Sequence, residues 1–200
     1  MSIMSYQHFP IYAIMALFLG AFLITVFGHN RHVRNVFAVA AITASLAFVL
    51  ALVKPVLLDG EIINYWMGGR EPAGGYAIGI ALEADGLSMF FALLISVAVF
   101  VSGIYSIQYM SHDHKQQEYY ALFLMLSGGV MGLVFSGDLF NMFIMVEILT
   151  FAAVALTAFR NTAVGALEAA FKYMVVGCIG STCILAGTAI LYAQAHTLNF

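Results

Sequence analysis

Asp138-Leu-Phe-Asn-Met-Phe-Ile-Met-Val-Glu147-Ile-Leu-Thr-Phe-Ala-Ala-Val-Ala-Leu-Thr-Ala-Phe159 is an apolar run with a single carboxylate, Glu147, near its midpoint. Roughly 20 predominantly apolar residues suffice to cross a bilayer as a helix, so the run reads as a membrane span. A charge at that depth costs about 2.5–3.5 kcal/mol on insertion scales. An acid kept there despite the cost marks a functional position, and the chemistry it suits best is proton or cation transfer.

The rest of the chain is built the same way. Hydrophobic residues make up 63% of its 200 residues and charged residues only 8%, against roughly 25% charged in soluble domains. The expected fold is an all-α polytopic membrane protein, a single membrane domain over residues 1–200. Apolar runs at 10–28, 36–53, 86–107, 119–136, 138–159 and 168–193 predict six transmembrane helices. No Lys or Arg precedes the first run and no Ala-x-Ala-like site closes it, so it reads as a span rather than a signal peptide. A net charge of −3 without a basic block argues against nucleic acid as a partner.

Local signals punctuate the spans. Pro10 suits a first helical turn. Lys54-Pro55 ends or kinks the second span. Asp85 and Asp138 are predicted N-caps, and Asp138 has no further expected role. The Ser136-Gly137-Asp138 connection is so short that the fourth and fifth spans must be antiparallel neighbours. Ser127, Gly128, Gly129, Gly132 and Ser136 give the fourth span a small-residue face, as Gly177, Gly180 and Ser181 do for the sixth. Close helix packing is the first explanation and a local helix break the second. Arg31, Arg34, Lys115 and Arg160 fall on one side of the membrane, Lys54 and Arg70 on the other. The more basic side is expected to be cytoplasmic, which puts both termini outside.

The stretch 59–85 is the one sizeable loop. Gly68-Gly69, Pro72 and Gly74-Gly75 are turn signals. Tyr76 to Glu83 alternates large and small side chains, the period of a strand, and Ile62 to Trp66 is its expected partner. An external β-hairpin at about 60–84 is predicted, placed to dock on a neighbouring subunit. An irregular loop is the alternative.

Glu147 and Lys172 are the charged residues clearly inside spans. On a helix, Thr150 and Thr157 share a side with Glu147, where their hydroxyls could support a hydrated proton path. Glu168 and Lys172 are four apart with the acid first, the favoured order for a pair. Counted from the 160–167 turn, Glu147 lies deeper than Lys172 by roughly 10 Å. A direct contact would need both side chains extended, whereas a relay through water would not. The plain alternatives are a protonated Glu147 hydrogen-bonded as packing and a Lys172 that snorkels to the surface.

Other chemistries find no support. Histidines lie outside the span interiors, which argues against haem. Cys178 and Cys183 read as small buried residues that face different directions and do not pair. No Cys/His spacing suggests zinc or an iron–sulfur cluster, and His112-Asp113-His114 reads as a solvated loop. There is no G-x-S-x-G, H-E-x-x-H or P-loop, so neither a catalytic site nor a cofactor is expected in this chain.

Taken together, Phe135-Ser-Gly-Asp-Leu-Phe-Asn-Met-Phe-Ile-Met-Val-Glu147-Ile resembles the signature span of the antiporter-like subunits. These occur in Mrp-type cation/proton antiporters, membrane-bound hydrogenases and respiratory complex I. Glu168-Ala-Ala-Phe-Lys172-Tyr173 through Leu198-Asn199 is similar to that family's next helix and its exit. The 68–88 stretch is similar to its external hairpin. The resemblance implies a prokaryotic inner-membrane subunit that moves protons, or protons and Na+, within a multisubunit complex. It implies proton-path roles for Glu147 and Lys172. Family members carry more helices than six, in inverted repeats. That implies either a partner chain supplying the remainder or a reduced subunit. The alternative reading is a non-conducting anchoring subunit of a hydrogenase- or NADH-dehydrogenase-like oxidoreductase complex.

Overall fold

A computed structural model describes residues 6–67, 79–113, 115–160, 162–163 and 165–199. Among the described residues six α-helices form a bundle: α1 (Phe9–Phe27), α2 (Arg31–Val53), α3 (Gly86–Tyr109), α4 (Gln116–Val134), α5 (Leu139–Thr157) and α6 (Ala166–Ala195). Helix α1 packs against both α2 and α4, and α3 packs on α2. From α4 the bundle continues outward through α5 to α6. The buried core lies among α1–α4 and includes Ile14, Leu17, Val49, Met89, Leu124 and Met131. Within α5 only Asn141 and Ala152 are buried, and within α6 only Ala170, Ser181 and Thr188.

Among the described residues five helical stretches are long and apolar enough to cross a membrane: Phe9–Phe27, Arg31–Leu58, Gly86–His112, Leu139–Thr157 and Ala166–Ala195. Helix α4 differs because it opens on Gln116-Gln117-Glu118 and carries Ser127, Gly128, Gly129 and Gly132 where long apolar residues would stand. These small residues are buried and let neighbours approach closely. A Cβ on Gly128 would lie 2.8 Å from the Phe18 ring, and one on Gly132 would lie 2.4 Å from Met145 Sδ. The paired positions Gly129–Leu149 and Gly132–Met145 run in opposite senses, so α4 and α5 are antiparallel.

The helix ends follow local chemistry. Pro10 occupies the first turn of α1, where its missing N–H costs nothing. Asp85 caps α3 reciprocally: its carboxylate accepts the Ser88 N–H at 2.8 Å, and its own N–H donates to the Ser88 hydroxyl at 2.8 Å. Pro55 widens α2 without ending it. Residues Lys54–Leu58 form a π-helical turn, closed by Asp59 N–H donating to the Lys54 carbonyl at 3.1 Å.

Strand β1 (Ile63–Trp66) pairs antiparallel with β2 (Ala81–Ala84), Ile63 opposite Ala84. The pairing strand starts later than the alternating stretch from Tyr76, whose Tyr76–Ile78 part lies outside the described residues. Burial accounts for the position of β2. Ala81, Leu82 and Ala84 are buried, and Leu82 bridges to Ser136 in the α4–α5 connection.

Candidate functional site

Glu147 is half-buried and occupies the middle of α5. Met145 and Leu149 are the residues of α5 that meet the α4 glycines. Glu147 is two residues from each, and two residues of α-helix turn through about 200°. Its side therefore faces away from α4. Thr150 meets α6: a Cβ on Gly177 would lie 2.6 Å from its Cγ2. Glu147 sits about 60° around the helix from Thr150, on the flank beside α6. Among the described residues its carboxylate has no hydrogen bond or ion pair.

The other expected site residues are not brought to it. Thr157 is exposed, and its hydroxyl donates back to the Ala153 carbonyl at 2.8 Å. Lys172 Nζ lies 2.5 Å from the Glu168 carboxylate, and the Lys172 side chain is 71% exposed. Helix α6 meets α5 along a seam that includes the buried Ala170, Ser181 and Thr188 together with Gly177. Lys172 is two residues from Ala170, so it lies on the opposite side of α6 from that seam. Cys178 and Cys183, expected to be buried, are both exposed and free. Among the described residues α6 packs chiefly on α5, which leaves its remaining faces uncovered.

A partly buried polar cluster lies at the N-terminal end of α5. Asn141 Nδ2 donates to the Ser136 hydroxyl at 2.8 Å, which donates in turn to the Gly132 carbonyl at 2.8 Å. Asn141 precedes Glu147 by a rise of roughly 9 Å. Ser136 also lines a cavity of about 360 Å³ with Glu83, Asp85, Ser88, Phe91 and Val134. The Ser88 backbone N–H holds the Asp85 carboxyl below its ordinary range. Asn141 is four residues before Met145, so this cluster lies on the α4-facing side of α5 and not on the side of Glu147. Sequence reasoning missed Asn141. Its signal is a polar residue in the first turn of an otherwise apolar helix.

Asp138, read as a cap, does more than cap. It is 3% exposed. Oδ1 accepts the Asn141 N–H at 2.7 Å, and Oδ2 accepts the Ala81 N–H of β2 at 3.1 Å.

At the opposite end of the bundle lies Arg34, which the sequence offers only as a topology signal. It is 6% exposed. It donates to the Gly28 carbonyl at 3.5 Å and to the Gln116 side chain, with its guanidinium 5.9 Å from the Tyr120 ring centroid. Gln117 donates to the Ile24 and Thr25 carbonyls. These contacts tie the starts of α2 and α4 to the end of α1. Among the described residues no group of three or more metal-ligating side chains forms.

Comparison with known proteins gives a consistent picture. A family described as "NADH:quinone oxidoreductase/Mrp antiporter, TM" matches residues 136–200. A second, described as "NADH-Ubiquinone oxidoreductase (complex I), chain 5 N-terminus", matches residues 71–120. The chain is 33% identical to NADH-quinone oxidoreductase subunit N of Desulforudis audaxviator over 163 residues, covering 82% of this chain and 32% of that one. It is 29% identical to an Na(+)/H(+) antiporter subunit of Bacillus subtilis over 193 residues, covering 96% of this chain and 38% of that one. A chain of the archaeal membrane-bound sulfane sulfur reductase superposes with a TM-score of 0.85 at 30% identity, over 95% of this chain and 38% of that one. One from the Mrp complex of Dietzia sp. gives 0.80 at 21% identity, a likeness of fold, over 97% of this chain and 35% of that one. The chain thus spans about a third of the length of the curated relatives it matches.

Proposed function

This chain belongs to the antiporter-like membrane subunits shared by complex I-type oxidoreductases and Mrp antiporters, and we propose that it is part of an ion-translocating unit in which Glu147 carries the proton. The observation that carries this reading is the placement of Glu147. A carboxylate stands mid-helix, turned from α4, on a flank that the described residues leave partly open. An ionisable group at such depth must face protein or water rather than lipid. The open flank therefore needs a neighbour, which the rest of the translocating unit would supply. That neighbour is another membrane subunit or a chain bearing further helices.

In this reading α4 also crosses the membrane, the chain is a multi-pass protein of a prokaryotic inner membrane, and both termini face outward. Lys172 biases the protonation of Glu147 through that neighbour rather than by contact, since it lies on the far side of α6. Thr150, against Gly177, lines the flank. The transported ion is H+, alone or exchanged for Na+.

The test is coupled transport by the whole complex with Glu147→Gln. The expected result is loss of transport with normal assembly. Normal transport in that variant would overturn the proposal.

A second reading, a non-conducting anchoring subunit, is favoured by one observation. The Lys172–Glu168 pair is exposed and apart from Glu147. Unchanged transport in both Glu147→Gln and Lys172→Ala, with assembly lost on deleting residues 60–80, would select it.

A further inference from the structure

We propose that Asp138 is a positioning residue: its carboxylate fastens the start of α5 to β2 and thereby fixes the depth of Glu147. This rests on the reading of Glu147 as the proton carrier.

Capping α5 requires one carboxylate oxygen. Here the two oxygens serve different elements, Oδ1 the Asn141 N–H of α5 and Oδ2 the Ala81 N–H of β2. The surrounding backbone is stitched on both sides. Gly137 N–H donates to the Ala81 carbonyl at 2.9 Å, and Glu83 N–H donates to the Phe135 carbonyl at 2.8 Å. On the other side Leu139 N–H donates to the Leu198 carbonyl at 2.9 Å, and Asp138 bridges Asn199. The ribbon, the start of α5 and the segment after α6 therefore meet at residue 138. Gly137 permits the approach, since a Cβ there would lie 3.2 Å from the Ala81 carbonyl oxygen.

Among the described residues no basic side chain pairs with Asp138. Its charge is held by N–H donors at a helix N-terminus, where charge-assisted bonds are strong and directional. Helix α5 needs such a restraint more than α1–α4 do. It buries only Asn141 and Ala152, and its contacts with α4 and α6 run over Gly129, Gly132 and Gly177. Glu147 lies nine residues on, roughly 14 Å along a continuous helix. An axial shift at Asp138 would be passed to Glu147 almost undiminished.

Asp138→Asn separates the two functions. Its amide oxygen still accepts the Asn141 N–H, but its NH2 faces the Ala81 N–H, donor against donor. The experiment uses the intact complex in membranes. It measures the rate at which a hydrophobic carbodiimide modifies Glu147, read by mass spectrometry, together with coupled transport per assembled complex.

The expected result is normal assembly, a change of about threefold or more in the Glu147 modification rate, and about tenfold slower transport, as small misplacements produce. Wild-type values of both would overturn the proposal. So would slower transport with an unchanged modification rate, which marks a merely structural residue. Should Asp138→Asn fail to assemble, Ala81→Pro, which removes the N–H at the other end of the tie, decides by the same two readouts. Failure of both to assemble would also overturn it, because residue 138 would then hold the fold rather than set Glu147. Glu147→Gln run in parallel separates the two ideas. Normal transport there sinks the carrier reading, whatever Asp138 does to the modification rate.

Discussion

Lys172 and Glu168 form an ion pair on the side of α6 turned away from α5, with Nζ 2.5 Å from the carboxylate. Pairs at this spacing stabilise an exposed helix by only about 0.2–0.5 kcal/mol. The pair therefore does little to hold this chain together. Lys172→Ala is expected to leave the thermal stability of the complex within about 0.5 kcal/mol of wild type while slowing coupled transport. Thermal denaturation beside a transport assay checks both halves. A large stability loss would make Lys172 a structural residue instead.

The seam between α5 and α6 turns on Gly177. An added methyl would lie 2.6 Å from Thr150 Cγ2, closer than such carbons tolerate. Gly177→Ala should destabilise by about 1–3 kcal/mol, the range for overpacking. Thr150→Ser, which deletes that Cγ2, should restore most of the loss. The melting temperatures of the two single variants and the double variant test this. A double variant no better than Gly177→Ala would show that the contact is not what Gly177 protects.

Asp85 gives a pH dependence with a definite sign. The Ser88 N–H, the chief cause, lowers its pKa in the folded chain from the ordinary 3.8. A carboxyl with a depressed folded pKa contributes stability that is complete above its unfolded value. That contribution drains away as pH falls through the lowered folded value. Asp85→Asn should flatten the acid limb of the stability–pH curve below about pH 5 and leave the neutral region nearly parallel. Asp85→Ala should cost about 1 kcal/mol at neutral pH as a lost cap. Acid titration of unfolding midpoints distinguishes the two.

If another subunit covers the open side of α6, its exposed thiols report on that neighbour. Cys178 and Cys183 are five residues apart and exposed on different sides of α6. In the intact complex, a lipid-soluble maleimide should label one much more slowly than the other. Equal, rapid labelling of both would mean that no neighbour covers either of these sides of α6.

Much of this was legible in the sequence because apolar length and capping residues are local signals. The helix runs and the Asp85 and Asp138 caps follow from them, as does the antiparallel α4–α5 pair forced by a three-residue connection. Helix α4 shows where hydropathy weakens as a signal, since its buried glycines and serine hold their place by close packing rather than by apolar area. What was not legible depends on azimuth and tertiary partners. Depth along the helices sets Glu147 and Lys172 roughly 10 Å apart and leaves both a direct contact and a relay through water open. Direction around α6, which puts Lys172 opposite the α5 seam, becomes readable only when Ala170, Gly177, Ser181 and Thr188 are recognised as that seam. The second bond of Asp138 and the burial of Arg34 involve partners 57 and 82 positions away, Ala81 and Gln116, which no local pattern announces. Cys178 and Cys183 are expected inside because cysteine usually is. They are outside because α6 has its main packing partner, α5, on only one side.

Infrared difference spectroscopy of the working complex tests the core idea at the atom concerned. If Glu147 takes up and releases the proton, turnover should produce a carboxyl C=O stretching change that disappears in Glu147→Gln while the complex stays assembled. An identical band in wild type and Glu147→Gln, or no carboxyl band during sustained transport, would contradict it.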